Sequence, residues 1–193
     1  MQVDYAVELG GDDETLEFPW SAPEGGLRYH DVKRDPHALD QIEEAKTNAA
    51  LHDFLAAVNR PLSVLESAKC DAWSSDEIQP EEEIFGAPWK FGSYVDLLFA
   101  NRADRFSFEV HERLLKKLTA LLRQVPEIQA STEFLLRRCF YHENVTVRDG
   151  FYVTFYLFGY GEDEGKARRQ WEIGLKVVSH AIGQLSSSRD RSL

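Results

Sequence analysis

Phe91-Gly92-Ser93-Tyr94-Val95-Asp96-Leu97-Leu98-Phe99-Ala100 and Phe151-Tyr152-Val153-Thr154-Phe155-Tyr156-Leu157-Phe158 decide the fold. Val95, Leu97 and Phe99 alternate in the first stretch, and Val153, Phe155 and Leu157 in the second. Successive side chains of a strand point to opposite faces, so these two sets mark one apolar side of a sheet. The other side then carries Tyr94, Asp96 and Leu98 from one strand, and Tyr152, Thr154, Tyr156 and Phe158 from the other. Asp71 and Trp73 are expected to join it from the preceding strand. Such a face is too aromatic for an ordinary wet surface and too hydroxylated for a plain core. Trp73, Tyr94, Asp96, Tyr152, Thr154 and Tyr156 are therefore the candidate ligand or interface residues.

Each stretch ends a similar run. Ser67-Ala68-Lys69-Cys70 precedes Gly92-Ser93-Tyr94-Val95 and a Leu-rich helix. Leu136-Arg137-Arg138-Cys139 precedes Gly150-Phe151-Tyr152-Val153 and a helix of similar length. The pattern reads as an internal duplication of a strand-strand-helix unit, with repeats at 62–125 and 131–185. The connection is longer in the first copy by about eleven residues. In that reading the two Cys are equivalent, and so are the two Tyr.

Outward from these strands, Val3, Tyr5, Val7 and Leu9 alternate, and so do Leu16, Phe18 and Trp20. Gly10-Gly11-Asp12-Asp13-Glu14 lies between them, which predicts an N-terminal hairpin. A short strand is expected at 27–32. Asp35-Pro36 opens a helix that ends near Asn59, before Pro61. It has two apolar stripes, and burial between layers explains them better than a bend. Val64, Ala68, Cys70 and Ala72 share a strand face, and residues 74–90 form a long acidic loop. A helix spans 107–125, with Leu115, Leu118 and Leu122 in its stripe. A strand spans 131–142, Asp149-Gly150 marks a tight turn, and a last helix starts near Glu162. The tail 186–193 is polar and expected to be disordered. The architecture predicted is α+β: a single domain over 1–185, a two-layer sandwich with a largely antiparallel sheet and three main helices on one face.

Composition narrows the function classes. The 193 residues hold 22 Lys+Arg against 33 Asp+Glu, a formal charge of −11, which argues against nucleic-acid and anionic-membrane binding. No apolar run is long enough to span a bilayer, and the opening residues lack a signal peptide's basic start and apolar block. Two Cys cannot make a disulfide framework, so a cytoplasmic location is expected.

Catalytic constellations are scarce. Gly159-Tyr160-Gly161-Glu162-Asp163-Glu164-Gly165 lies where a strand feeds a helix, but its acids repel phosphate and read as helix capping. Cys139 and His142 are three apart on a strand, on opposite faces, and make a poor metal pair. Acids at 76–83 lack calcium-loop spacing and read as a solvated loop. Arg28, Lys33 and Arg34 form either a small anion spot or a solvated loop, and His111 is a helix-end residue. Asn144-Val145-Thr146 matches a glycosylation acceptor but lacks a secretion signal to give it meaning. No catalytic residue, metal ligand or cofactor is assigned. The expected function is a non-enzymatic binding protein using the aromatic sheet face for homodimerisation or for docking another protein. The alternatives are a small-molecule pocket on that face, lined by Tyr94, Asp96, Tyr152 and Tyr156 with Asp96 as its acid or base, and a plain second-layer core covered by the N-terminal hairpin.

Overall fold

Alternation in the two central stretches produces the two central strands of a six-stranded mixed sheet. The computed structural model describes residues 1–22, 24–143 and 145–189. In chain order the elements are β1 (Gln2–Glu8), β2 (Thr15–Phe18), α1 (Glu43–Thr47), α2 (Ala49–Val58), β3 (Leu65–Ser75), β4 (Trp89–Phe99), α3 (Phe108–Leu122), β5 (Ala130–Glu143), β6 (Thr146–Gly161) and α4 (Glu164–Arg189), with short 3-10 turns between some of them. The strands lie in the order β1-β5-β6-β4-β3, and β2 also pairs with β5. β3–β4, β4–β6 and β5–β6 are antiparallel, while β1 and β2 run parallel to β5. The α+β two-layer arrangement read from the sequence is the one observed. No described helix is long and apolar enough to cross a membrane.

One face of the sheet carries the helices. Leu51, Phe54, Leu55 and Val58 of α2, Leu115, Leu118 and Leu122 of α3, and Ala167, Trp171, Leu175, Val178 and Ile182 of α4 pack on Val95, Leu97, Phe99, Val153, Phe155 and Leu157. Each large side chain buried in this way contributes roughly 1.5–3 kcal/mol. Gly159 and Gly161 let α4 cross β6 closely: a Cβ on Gly159 would lie 2.2 Å from the Trp171 backbone N, and one on Gly161 2.4 Å from that of Ala167. That approach accounts for the glycines of the 159–165 stretch. Asp163 accepts from the Lys166 N–H at 2.7 Å, so the acids beside them do cap the helix.

Several local expectations are overturned. The N-terminal hairpin does not form: β1 and β2 run in the same direction along β5, pairing with 131–137 and 138–141 in succession. The Gly10–Glu14 excursion sidesteps and resumes one interrupted edge strand, with the Gly10 N–H donating to Asp13 at 2.6 Å. The expected strand at 27–32 is only an isolated bridge between Ser21 and Arg28. The helix over 35–59 breaks into a 3-10 turn (Pro36–Gln41), α1 and α2, with Ile42 and Asn48 extended between them. The Asn48 side chain donates to the Glu44 carbonyl at 2.9 Å, a local bond that competes with helix continuation. The two apolar stripes therefore belong to a bent segment.

The turn expected at Asp149-Gly150 lies instead between Glu143 and Thr146, and β6 runs straight through Gly150. A Cβ at Gly150 would meet the Arg105 carbonyl at 2.7 Å, so this glycine serves packing. Asn144 of the glycosylation match lies outside the described residues. The tail expected to be disordered from 186 is helical as far as Arg189, and the Ser186 hydroxyl accepts from the Val64 N–H at 3.3 Å. Residues 190–193 of that tail lie outside the described residues.

β3 departs most instructively. A register shift between Ser67 and Lys69 switches the faces, so Ala68 belongs to the outer cluster while Cys70 packs with the helix-side core. Cys139 pairs with Gly150 and lies in the outer cluster. The two Cys thus point to opposite sides of the sheet, on strands separated by β4 and β6, and are neither in contact nor equivalent. Burial pushes each thiol up to about 12, so neither is a thiolate near neutral pH.

Candidate functional site

The outer face is built by register. Across β4 and β6, Gly92 pairs with Phe158, Tyr94 with Tyr156 and Asp96 with Thr154. β3 places Trp73, Asp71 and Lys69 opposite Gly92, Tyr94 and Asp96. β5 places Glu133, Leu135 and Arg137 opposite Tyr156, Thr154 and Tyr152. Six residues singled out by alternation therefore do share one face, and the structure divides that face into three zones.

One end is covered. Leu16, Phe18, Ala68, Leu98, Cys139, Tyr141 and Tyr152 form a second core, with Trp20, Tyr29 and Phe106 against it. The Trp20 indole N–H donates to the Ala68 carbonyl at 2.7 Å, pinning the N-terminal segment over β3. Tyr152 is only 1% exposed and belongs to this core. It cannot act as a contact residue at the surface.

A polar belt follows. Asp96 is 2% and Thr154 1% exposed. The Thr154 hydroxyl donates to Asp96 at 2.8 Å, and Arg137 Nη1 approaches that hydroxyl at 3.3 Å. Arg137 also pairs with Glu8 at 2.7 Å and Glu14 at 2.8 Å, which ties the β1–β2 excursion to the belt. Burial lifts the Asp96 carboxyl to about 7; the Thr154 hydrogen bond, Lys69 and Arg137 work against the rise, and Glu14 adds to it.

The far end is open. Trp73, Tyr94, Tyr156 and Phe158 are half-buried and form a chain of rings, with centroids 5.9 Å apart for Trp73–Phe158 and for Tyr94–Tyr156. Gly92 permits it, because a Cβ there would lie 2.7 Å from the Phe158 ring. Cations already rest on these rings: Lys69 Nζ is 5.8 Å from the Tyr94 centroid, and Lys90 Nζ 5.3 Å from that of Phe158. The rim is acidic. Asp71 and Glu133 are exposed at the two ends of the Tyr94–Tyr156 row, and burial together with the nearby Glu8 and Asp4 raises the Glu133 pKa.

Sequence reasoning missed Lys69, Arg137, Glu8 and Glu14. Arg137 was legible, since alternation from Leu135 to Cys139 puts it on the outer face; Lys69 was not, because the bulge sets its face. Two other expectations are corrected. The acidic loop is not simply solvated: Glu82 is buried, bonded to Lys90 at 2.7 Å and to the Tyr160 hydroxyl at 2.9 Å, while Phe85 stacks on Tyr160. Lys33 forms neither an anion spot nor a solvated loop, but donates to the carbonyls of Arg60, Ser63 and Leu65. His111 lies in the first turn of α3, as its helix-end reading expects, and is buried between Phe99 and Phe151 with Nδ1 2.8 Å from the Ser107 carbonyl.

Among the described residues, no group of three or more His, Cys, Asp or Glu side chains is placed to hold a metal ion. Comparisons with protein families, curated proteins and solved structures gave no match, so the reading of this face rests on its own geometry.

Proposed function

We propose that this is a non-enzymatic binding protein whose open aromatic end docks a cationic segment of a protein partner. The observation that carries the reading is the half-buried chain Trp73–Phe158–Tyr156–Tyr94 inside an acidic rim. Arginine or lysine side chains gain about 0.5–2 kcal/mol over such rings. They also neutralise Asp71 and Glu133, which no cation in this chain pairs with among the described residues. Self-association is the competing occupant. It would bring two such rims together on chains of charge −11, which costs electrostatic energy.

A labelled peptide alternating Arg and Gly, its Gln-for-Arg counterpart, and native mass spectrometry of the protein alone provide the test. The Arg peptide is expected to bind at least about tenfold tighter than the neutral one, to weaken with salt, and to weaken at least about tenfold more in Trp73→Ala/Tyr156→Ala. Equal binding of the two peptides overturns the reading. So does a dimer that the double variant dissociates, which would return the face to homodimerisation. The small-molecule reading draws on a different observation, the Asp96–Thr154–Arg137 belt, where a carboxyl close to 7 could give or take a proton. A retained small-molecule mass in the native spectrum, lost in Asp96→Asn, would favour it.

A further inference from the structure

A second feature lies on the opposite side of the molecule. Between α2 and the second half of α4 runs a groove of about 890 Å³, within the range of small-molecule sites. Its floor includes Phe54, Val58, Leu175 and Ile182, apolar side chains of the main core that are at most 3% exposed and close the groove from beneath. Leu62, 81% exposed, stands on its wall.

The charge there inverts that of the chain as a whole. Arg60 and Lys176 line the groove, and neither side chain has an ion-pair partner among the described residues. Asp53 is the single acid of the lining among the described residues, and it lies 3.6 Å from His52. His180 Nε2 is 2.9 Å from Gln184 Nε2 on the same rim. Two unpaired cations over an apolar floor are unusual in a protein with 33 acids against 22 bases.

Gly183 supplies an independent pointer. Glycine inside a helix destabilises it and normally has a packing reason. Gly174 on the same helix has one, since a Cβ there would lie 2.9 Å from Leu157. A Cβ on Gly183 would meet nothing within 4 Å, and Gly183 lines the groove. Among the described residues nothing uses the space that the missing side chain leaves open.

We propose that this groove binds an anionic amphiphile: a single acyl chain lying over the Phe54–Ile182 floor, with its carboxylate between Arg60 and Lys176. The class follows from the two halves of the lining. The floor can pair with nothing but an apolar body, and the cations are matched by one compact negative head.

Isothermal titration of the intact protein with decanoate, dodecanoate, dodecanol and dodecyltrimethylammonium, all below micellar concentration, tests it. Dodecanoate is expected to bind saturably, at least about tenfold tighter than the alcohol or the ammonium. Each added methylene should contribute up to roughly fourfold. Gly183→Leu adds an apolar side chain at the groove, where a Cβ meets nothing within 4 Å, and favours the helix. It should abolish binding while circular dichroism and the melting temperature are retained. Lys176→Glu/Arg60→Glu should reduce the preference for the carboxylate over the alcohol. Absence of saturable binding, equal binding of acid and alcohol, or undiminished binding to a folded Gly183→Leu protein would each overturn the proposal. Self-association that Gly183→Leu abolishes would do the same, by giving the groove to a second copy of the chain.

Discussion

Asp96 shows how one carboxyl can be central to a face and costly to it. Its strand alternates so regularly that its direction was readable from Val95 and Leu97 alone. Its surroundings were not, because the charges that act on it, Glu14 and Lys69, are positioned by a parallel edge strand and a bulge that no local pattern announces. A carboxyl moved from 3.8 to about 7 carries up to about 4 kcal/mol of penalty when ionised. The folded pKa is the higher one, so the cost is absent below the unfolded value and fully present once the pH exceeds about 7. Asp96→Asn keeps an oxygen to accept from Thr154 and has no charge to bury. It is expected to stabilise the protein by on the order of 2 kcal/mol at about pH 8, and to leave it unchanged or slightly weaker at about pH 5. Urea denaturation at both values checks this, and equal effects at the two would show that the ionised carboxyl is not the burden.

At the scale of elements, the legible parts are those where a strand or helix contacts a single layer. β4, β6, α3 and α4 all show their inner faces in their apolar spacing. What escaped reading depends on partners distant in sequence. The Gly10–Glu14 excursion looks the same whether the chain reverses or sidesteps, and only β5 decides between them. Asp149-Gly150 carries turn chemistry, yet Gly150 is required by Arg105 and Phe106, more than forty residues earlier in the chain. The β3 bulge moves Cys70 to the helix side and spoils the equivalence that the repeat suggested for the two Cys, although both halves do run strand, strand, helix.

The same logic separates two glycines near the start of α4. Gly159→Ala would force apart β6 and the α4 backbone, where a Cβ has only 2.2 Å, and should cost about 3 kcal/mol or more. Gly165→Ala meets side-chain atoms no closer than 3.4 Å, within a helix, and should stabilise by about 0.5–1 kcal/mol. Chemical denaturation of the pair decides whether close crossing, rather than a ligand loop, explains this stretch. A mild Gly159→Ala would remove that explanation.

Across the whole molecule the buried titratable groups pull stability in opposite directions. Burial raises the carboxyls of Asp96 and Glu66. Their folded forms hold protons more tightly than the unfolded chain, so stability falls as pH rises through their folded values. The formal charge of −11 adds self-repulsion on the same side. Burial lowers His111, which favours the neutral ring, so its contribution is present above about pH 6.5 and is lost as pH falls through its folded value. Burial also works to raise Glu82, but bonds from Gln79, Lys90 and Tyr160 outweigh it and hold its pKa low, so that contribution is lost in more acidic solution still. The expected melting temperature therefore peaks at about pH 6, declining on both sides. Differential scanning fluorimetry from about pH 4.5 to about pH 9 measures it, and the variants assign the limbs. Asp96→Asn should remove the descent that ends near pH 7 and make the rise on the acid side steeper, whereas His111→Gln should lower stability near neutrality and flatten the acid limb. A descent between about pH 6 and about pH 7.5 that persists unchanged in Asp96→Asn would move that burden from the belt to the charge of the whole surface, and raising the ionic strength would then restore the stability that the substitution did not.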